Sequence, residues 1–129
     1  MPFDPDVFAK LAEDLLWDLS GHPTTRSQID QAKVRTSISR SYYSVFLHIR
    51  ELIQENRNVT LTNTARDHAL IVDALGADSL KGRTLDRLRE KRNMADYNLG
   101  DRGFTLNSGQ YWLALARHLR QESSNIFDD

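Results

Sequence analysis

The sequence predicts an all-α protein, an antiparallel bundle of about five helices in a single domain over 1–129. Two patterns carry that prediction. Apolar residues recur at steps of three and four in most of the chain, and no segment alternates with period two for long enough to argue a strand. Glycines and prolines gather between the periodic stretches, where a chain turns. The size agrees, since 129 residues with 40% hydrophobic and 27% charged side chains suit one globular core.

Each element has its own signals. Asp4 ahead of Pro5 reads as an N-cap before the residue best tolerated at a helix start, and Val7, Phe8, Leu11, Leu15 and Leu19 form the expected inner stripe of a first helix over roughly 5–20. Gly21-His22-Pro23 ends it, and Thr25 with Gln28 has capping-box spacing for a long second helix over about 26–56. Its stripe is Ile38, Tyr42, Val45, Phe46, Ile49, Leu52 and Ile53. Thr62 or Asn63 caps a short third helix through Ala65, Ala69, Leu70, Val72 and Leu75, which Gly76 closes. A fourth, near 82–98, turns Leu85, Leu88, Ala95 and Leu99 to one side before Gly100 and Gly103 stop it. A fifth begins after Asn107 and buries Tyr111 or Trp112 with Leu115, Ala116 and Leu119, which leaves a polar tail over 121–129 and a core over about 5–120. Helices two and four are expected at the centre. No internal repeat or low-complexity tract interrupts the pattern.

Composition excludes several function classes. With no cysteine there are no disulfides, thiol nucleophiles or thiolate metal sites. No apolar run is long enough for a membrane span or a signal peptide, so the expected address is the cytoplasm, and the Asn58-Val59-Thr60 glycosylation triplet reads as coincidence. The net charge of -1 gives no global reason to expect nucleic acid. Its distribution does: residues 1–20 are acidic, whereas 26–50 and 81–92 are basic, the first through Arg26, Lys33, Arg35, Arg40 and Arg50, the second through Lys81, Arg83, Arg87, Arg89, Lys91 and Arg92. Two solvated helix faces account for the same pattern.

The clearest departure from apolar periodicity lies in helix four. Leu85, Leu88, Arg92, Ala95, Asp96 and Leu99 share a face, so Arg92 and Asp96 sit on or beside the core. An uncompensated buried guanidinium costs several kcal/mol, so it needs a partner. One reading is an intrahelical Arg92–Asp96 pair; the other is an arginine lining a phosphate-binding cleft with Asn93, Asp96 and Tyr97 beside it.

The run Ile38-Ser39-Arg40-Ser41-Tyr42-Tyr43-Ser44-Val45-Phe46, followed by Arg89-Glu90-Lys91-Arg92-Asn93-Met94-Ala95-Asp96-Tyr97, resembles the HEPN superfamily, in particular its small prokaryotic branch with a Tyr-Tyr helix and an Ala-Asp-Tyr motif. The resemblance covers roughly 6–120 and includes His68 at the start of the third helix. It implies an all-α bundle, a homodimer, RNA as ligand, and a toxin-antitoxin or antiviral defence setting, often beside a nucleotidyltransferase-like antitoxin. Active members cut RNA without a metal, using an arginine followed four to six residues later by a histidine. Here that position holds Tyr97, and no histidine lies between 92 and 98. Cleavage of RNA suits a group titrating near neutrality, whereas tyrosine titrates at about 10.

The resemblance therefore marks Arg92, Asn93, Asp96 and Tyr97 as the catalytic candidates of a ribonuclease-like site. Arg92 would grip a phosphate, Asn93 would bond the substrate, Asp96 would orient Arg92 and Tyr97 would offer a hydroxyl or a stacking face. Arg40, Tyr43, Arg83, Arg89 and Lys91 are the RNA-binding candidates, with Tyr43 either stacking on a base or packing at a helix boundary. No cofactor is called for. A metal site from His48, His68 and Asp67 or Asp73 lacks the paired-histidine helical spacing such sites use, and His48 and His118 fall off the main stripes. Two functions remain open, an RNA-directed protein and a non-catalytic helical adaptor or partner-binding subunit.

Overall fold

The computed structural model describes residues 3–19, 27–57, 60–101 and 103–124. Among them are five helices and no strand: α1 (Asp6–Trp17), α2 (Gln28–Arg57), α3 (Arg66–Leu75), α4 (Leu80–Tyr97) and α5 (Leu106–Ser123). None is long and apolar enough to cross a membrane. The bundle is all-α, as the apolar spacing predicts.

Cross-helix contacts set the directions. Ser37 bonds to the Ala12 carbonyl and the Arg40 guanidinium lies over Phe8, so α1 and α2 run antiparallel. Arg35 reaches Ala95 and Asn98 while Ser39 reaches Asp96, so α2 and α4 do too. Arg117 pairs with Glu13 and Arg120 with Asp6, which sets α5 against α1. α2 and α5 therefore share a direction, yet they pack tightly. Gly109 permits this approach, since a Cβ there would meet Val34 of α2 and Leu16 of α1; Ser37, Ser41 and Ser44 are buried along α2, each hydroxyl satisfied by a backbone carbonyl. α2 packs on all four other helices and is the centre of the bundle, whereas α4 makes no contact with α1.

At 30 residues, α2 is about 45 Å long and serves two apolar clusters. One joins Tyr42, Val45, Phe46, Ile49 and Ile53 to Ile71, Leu85, Leu88, Ala116 and Leu119. The other joins Val34 and Ile38 to Ala9, Ala12, Leu16, Leu19, Ala95, Phe104 and Leu113.

Several expected faces shift. In α1 the buried face is Ala9, Ala12 and Leu16, with Leu19 buried just beyond the helix end, while Val7 and Leu11 are exposed and Phe8 and Leu15 half-buried. The larger residues lose the inner face because α2 lies too close for them: Ser37 donates to the Ala12 carbonyl at 2.9 Å. Leu99 is 82% exposed, since α4 has already ended at Tyr97. In α3 the inner residues are Asp67, His68 and Ile71, not Ala69 or Leu70. α5 starts from Thr105, whose capping box with Ser108 precedes the expected start, and buries Leu113, while Tyr111 is exposed. It continues to Ser123, so the tail is shorter than the polar composition of 121–129 predicts. The Gly21-His22-Pro23 break and the Thr25 cap lie outside the described residues; Ser27 caps α2 by accepting from Asp30 at 3.0 Å.

The cap expected from Thr62 or Asn63 is not made, because α3 starts after Ala65 with no side-chain cap and both amides donate to Asp67 instead; the other caps and breakers act as their chemistry requires. The Asp4 carboxylate accepts from the Asp6 amide, and Gly76 takes φ 94 to end α3. Ser79 then caps α4 by accepting from Gly82, which starts that helix two residues before the expected position. Arg35, on α2, closes the other end of α4: its guanidinium donates to the carbonyls of Ala95, Asn98 and Asp101 at 2.9, 3.0 and 2.8 Å and lies 4.3 Å from the centre of the Phe104 ring.

Candidate functional site

Where α2, α3 and α4 meet, the side chains leave a cleft of about 460 Å³. Tyr42, Tyr43, Phe46 and Arg50 come from α2, Asp67 and His68 from α3, and Arg89, Arg92 and Asn93 from α4; the turn before α3 adds Asn63 and Thr64. The helical repeat explains the α4 set, because 89, 92 and 93 fall on one face.

Arg92 is half-buried, with 21% of its side chain exposed. Its Nε lies 2.9 Å from Asp96 Oδ2, but the N–H does not point at that oxygen, so the contact is an ion pair without a hydrogen bond. Nη1 donates to Asn93 Oδ1 at 2.9 Å. The guanidinium also lies 5.3 Å from the Tyr43 ring centre and 5.8 Å from that of Tyr97. Arg92 is thus neither sealed in the core nor open to solvent. Tyr43 of α2 and Asn93, Asp96 and Tyr97 of α4 hold it at the cleft wall with its charge partly compensated.

Arg89 is different. It lines the cleft and makes no ion pair or hydrogen bond among the described residues. Arg50 is balanced by Asp67 at 3.2 Å. That carboxylate also accepts from the Thr62 amide and hydroxyl and from the Asn63 amide. Burial alone would raise its pKa, but these bonds outweigh burial and hold it below the ordinary carboxylate range.

The floor carries a chain of hydrogen bonds. Tyr42 Oη is 2.7 Å from His68 Nδ1, and His68 Nε2 is 3.1 Å from Asp86 Oδ1. A carboxylate only accepts, so Nε2 bears the proton, Nδ1 accepts, and the Tyr42 hydroxyl donates to it. Burial lowers the His68 pKa, Arg89 adds to that, and Asp86 opposes without reversing it. Burial likewise pushes the Tyr42 hydroxyl up, with Tyr43 contributing in the same direction. At pH 7 the pair is therefore a neutral phenol bonded to a neutral imidazole. Phe46 stacks near the His68 ring, centroids 6.1 Å apart, and fixes its plane.

The nine residues singled out by sequence separate in space. Arg92, Asn93, Arg89 and Tyr43 line the cleft. Asp96 and Tyr97 flank Arg92 from outside it, and Tyr97 is 73% exposed. Tyr43 holds two guanidiniums, those of Arg92 and Arg40 at 5.1 Å, so its ring positions arginines where stacking on a base was one expectation. Lys91 does not stand with Arg89 and Arg83, because its ammonium lies over Phe104 and Trp112 on another side of α4. Arg83 is exposed and apart from the cleft. Nor do His48 and His68 meet: His48 bonds to Ser124 at 3.2 Å.

Sequence reasoning missed Tyr42, His68 and Asp86 as a unit, and Arg50 with Asp67. Tyr42 lies in the apolar stripe of α2 and is buried as that stripe requires, but its hydroxyl finds a partner on a helix 26 positions away. The one available signal was an inward histidine and aspartate on a short helix otherwise lined with alanine and leucine.

Compared with known protein families the chain matches none, and it matches no solved structure. It is similar to an uncharacterized protein of Methanocaldococcus jannaschii, 31% identical over 116 residues. The match covers 75% of this chain and 62% of that protein, so the chain spans less than two thirds of its relative's length.

Proposed function

We propose that this chain is an RNA-directed protein of the HEPN kind, which grips backbone phosphate in the cleft between α2, α3 and α4. The observation that carries the reading is Arg89, a guanidinium at a cleft wall with no carboxylate partner among the described residues, one turn from Arg92. Two planar forks on one helix face suit the charge of a phosphate chain, and Asn63, Thr64 and Asn93 add neutral polar groups to the cleft lining. The measurement is fluorescence anisotropy of labelled single-stranded RNA at low and at high salt. Binding should weaken steeply with salt and fall at least about 10-fold in the Arg89→Ala variant. Absence of binding by the unaltered protein at low salt removes the reading.

The wider setting follows the sequence resemblance: a cytoplasmic toxin-antitoxin or antiviral defence protein that forms a homodimer and is held by a nucleotidyltransferase-like antitoxin or another partner protein. Met94, Tyr97 and Leu99, exposed together at the end of α4, supply an apolar surface for a second copy. Light scattering reporting a monomer at high micromolar concentration removes the dimer.

One observation favours the second reading, a non-catalytic helical adaptor. The Arg92–Asp96 pair compensates the charge that RNA binding would use. In that case Arg92→Ala lowers stability and leaves partners bound through other surfaces.

A further inference from the structure

The Tyr42–His68–Asp86 chain has no task in the phosphate-binding reading, yet it is built at a cost. A histidine 6% exposed and a tyrosine 4% exposed are buried side by side, where apolar side chains would pack as well. Both line the floor of the cleft that Arg89 and Arg92 wall.

We infer that this chain is the proton acceptor of the cleft: Tyr42 takes the proton of a ribose 2′-hydroxyl while passing its own to His68, which makes the bound single-stranded RNA cleavable. The inference rests on the RNA reading of the cleft. In the step, the 2′-O–H bond breaks and its proton goes to Tyr42 Oη as the phenolic proton moves to His68 Nδ1. The 2′-oxygen forms a bond to phosphorus, the bond from phosphorus to the 5′-oxygen breaks, and that oxygen leaves with a proton from water. His68 afterwards returns its proton through Tyr42 to the solvent, so none is gained or lost. The products are a 2′,3′-cyclic phosphate and a 5′-hydroxyl.

Two features fit this assignment. A phenol raised by burial does not ionise near neutrality, so Tyr42 accepts a proton only if it hands one on, and the lone pair of His68 Nδ1 is 2.7 Å away. The groups facing His68 are Tyr42 and Phe46 from α2 and Asp86 and Arg89 from α4, while Asp67 is its neighbour on α3, tied to Arg50. Burial and Arg89 keep the imidazole neutral and ready to accept, and Asp86 stabilises the imidazolium once it forms. Asp86 is half-exposed, so the chain ends at solvent. The position of the relay also answers the absence of a histidine between 92 and 98: the imidazole comes from α3.

The test uses the full chain and a random-sequence pool of short single-stranded RNA, with cleavage and binding measured on the same samples. The unaltered protein is expected to bind and cut, with a rate that rises with pH along an acid limb below pH 6.5 and then levels. RNA with 2′-deoxyribose throughout should be left whole. Tyr42→Phe, which keeps the ring, should lose about 100-fold or more in cleavage while binding is retained. Asp86→Asn, which takes away a charge that raises His68, should move the acid limb to lower pH, a shift that a structural role would not produce. Binding without cleavage by the unaltered protein overturns the relay and leaves the RNA reading standing. Cleavage undiminished in Tyr42→Phe overturns the relay alone. No binding at low salt overturns both.

Discussion

The His68 imidazole and the Tyr42 hydroxyl, 2.7 Å apart, tie α3 to the middle of α2 inside the core. The burial that comes with this placement makes the fold sensitive to pH. The folded state holds His68 below its ordinary pKa, so between that lowered value and 6.5 the unfolded chain binds more protons. Stability is therefore complete above pH 6.5 and declines as the pH falls toward the folded pKa; His48, also lowered chiefly by burial, acts in the same direction. Asp67, depressed by its hydrogen bonds, adds a second loss as the pH falls below 3.8. A melting temperature followed from pH 8 downward should fall in these two windows, and His68→Gln should flatten the first. A melting temperature independent of pH between 7 and 5 would count against the buried neutral imidazole.

Arg92→Ala separates the two functional readings. The Arg92–Asp96 pair keeps 21% and 27% of its side chains exposed and is spaced one helical turn apart, a geometry worth roughly 0.5 kcal/mol. Chemical denaturation should then show a loss of about 1 kcal/mol or less, while RNA affinity falls at least about 10-fold. A loss near 3 kcal/mol with RNA affinity intact would mark the cluster as structural.

Arg35→Lys tests the closure of α4. A lysine ammonium cannot serve the carbonyls of Ala95, Asn98 and Asp101 at once or lie flat against Phe104. The variant should lose about 2 kcal/mol in denaturant unfolding, and hydrogen exchange should show the last turn of α4 opening first. An unchanged midpoint would show that the helix end is held by other contacts.

Gly82→Ala probes the α3–α4 turn. A Cβ there would run into the Gly76 carbonyl, which is backbone and cannot rotate away. The gain in helix propensity, about 1 kcal/mol, opposes a clash that forces the whole turn to move. The net result should be a loss of about 1–3 kcal/mol with Lys81→Ala, one residue away, close to neutral. Stabilisation by Gly82→Ala would mean that the turn adjusts freely.

Much of the architecture is legible in the chain alone, because helix periodicity and turn chemistry are local. The spacing from Ile38 to Ile53 predicts α2 and its inner face, and Gly76 predicts the end of α3. The phase of Leu85, Leu88 and Ala95 places Arg92 at the edge of the core, where the structure holds it. Tertiary packing decided what locality cannot carry. Which stripe of α1 faces inward depended on how closely α2 approaches, and that distance favoured Ala9 and Ala12 over the larger Val7 and Leu11. That Lys91 and Arg89, two positions apart, lie on different sides of α4 follows from the helical repeat, but only the fold put Phe104 and Trp112 under the first and the cleft beside the second. The Tyr42–His68–Asp86 chain draws one side chain from each of three helices, and no spacing along the sequence encodes a hydrogen bond between residues that only the folded bundle brings within 3.1 Å.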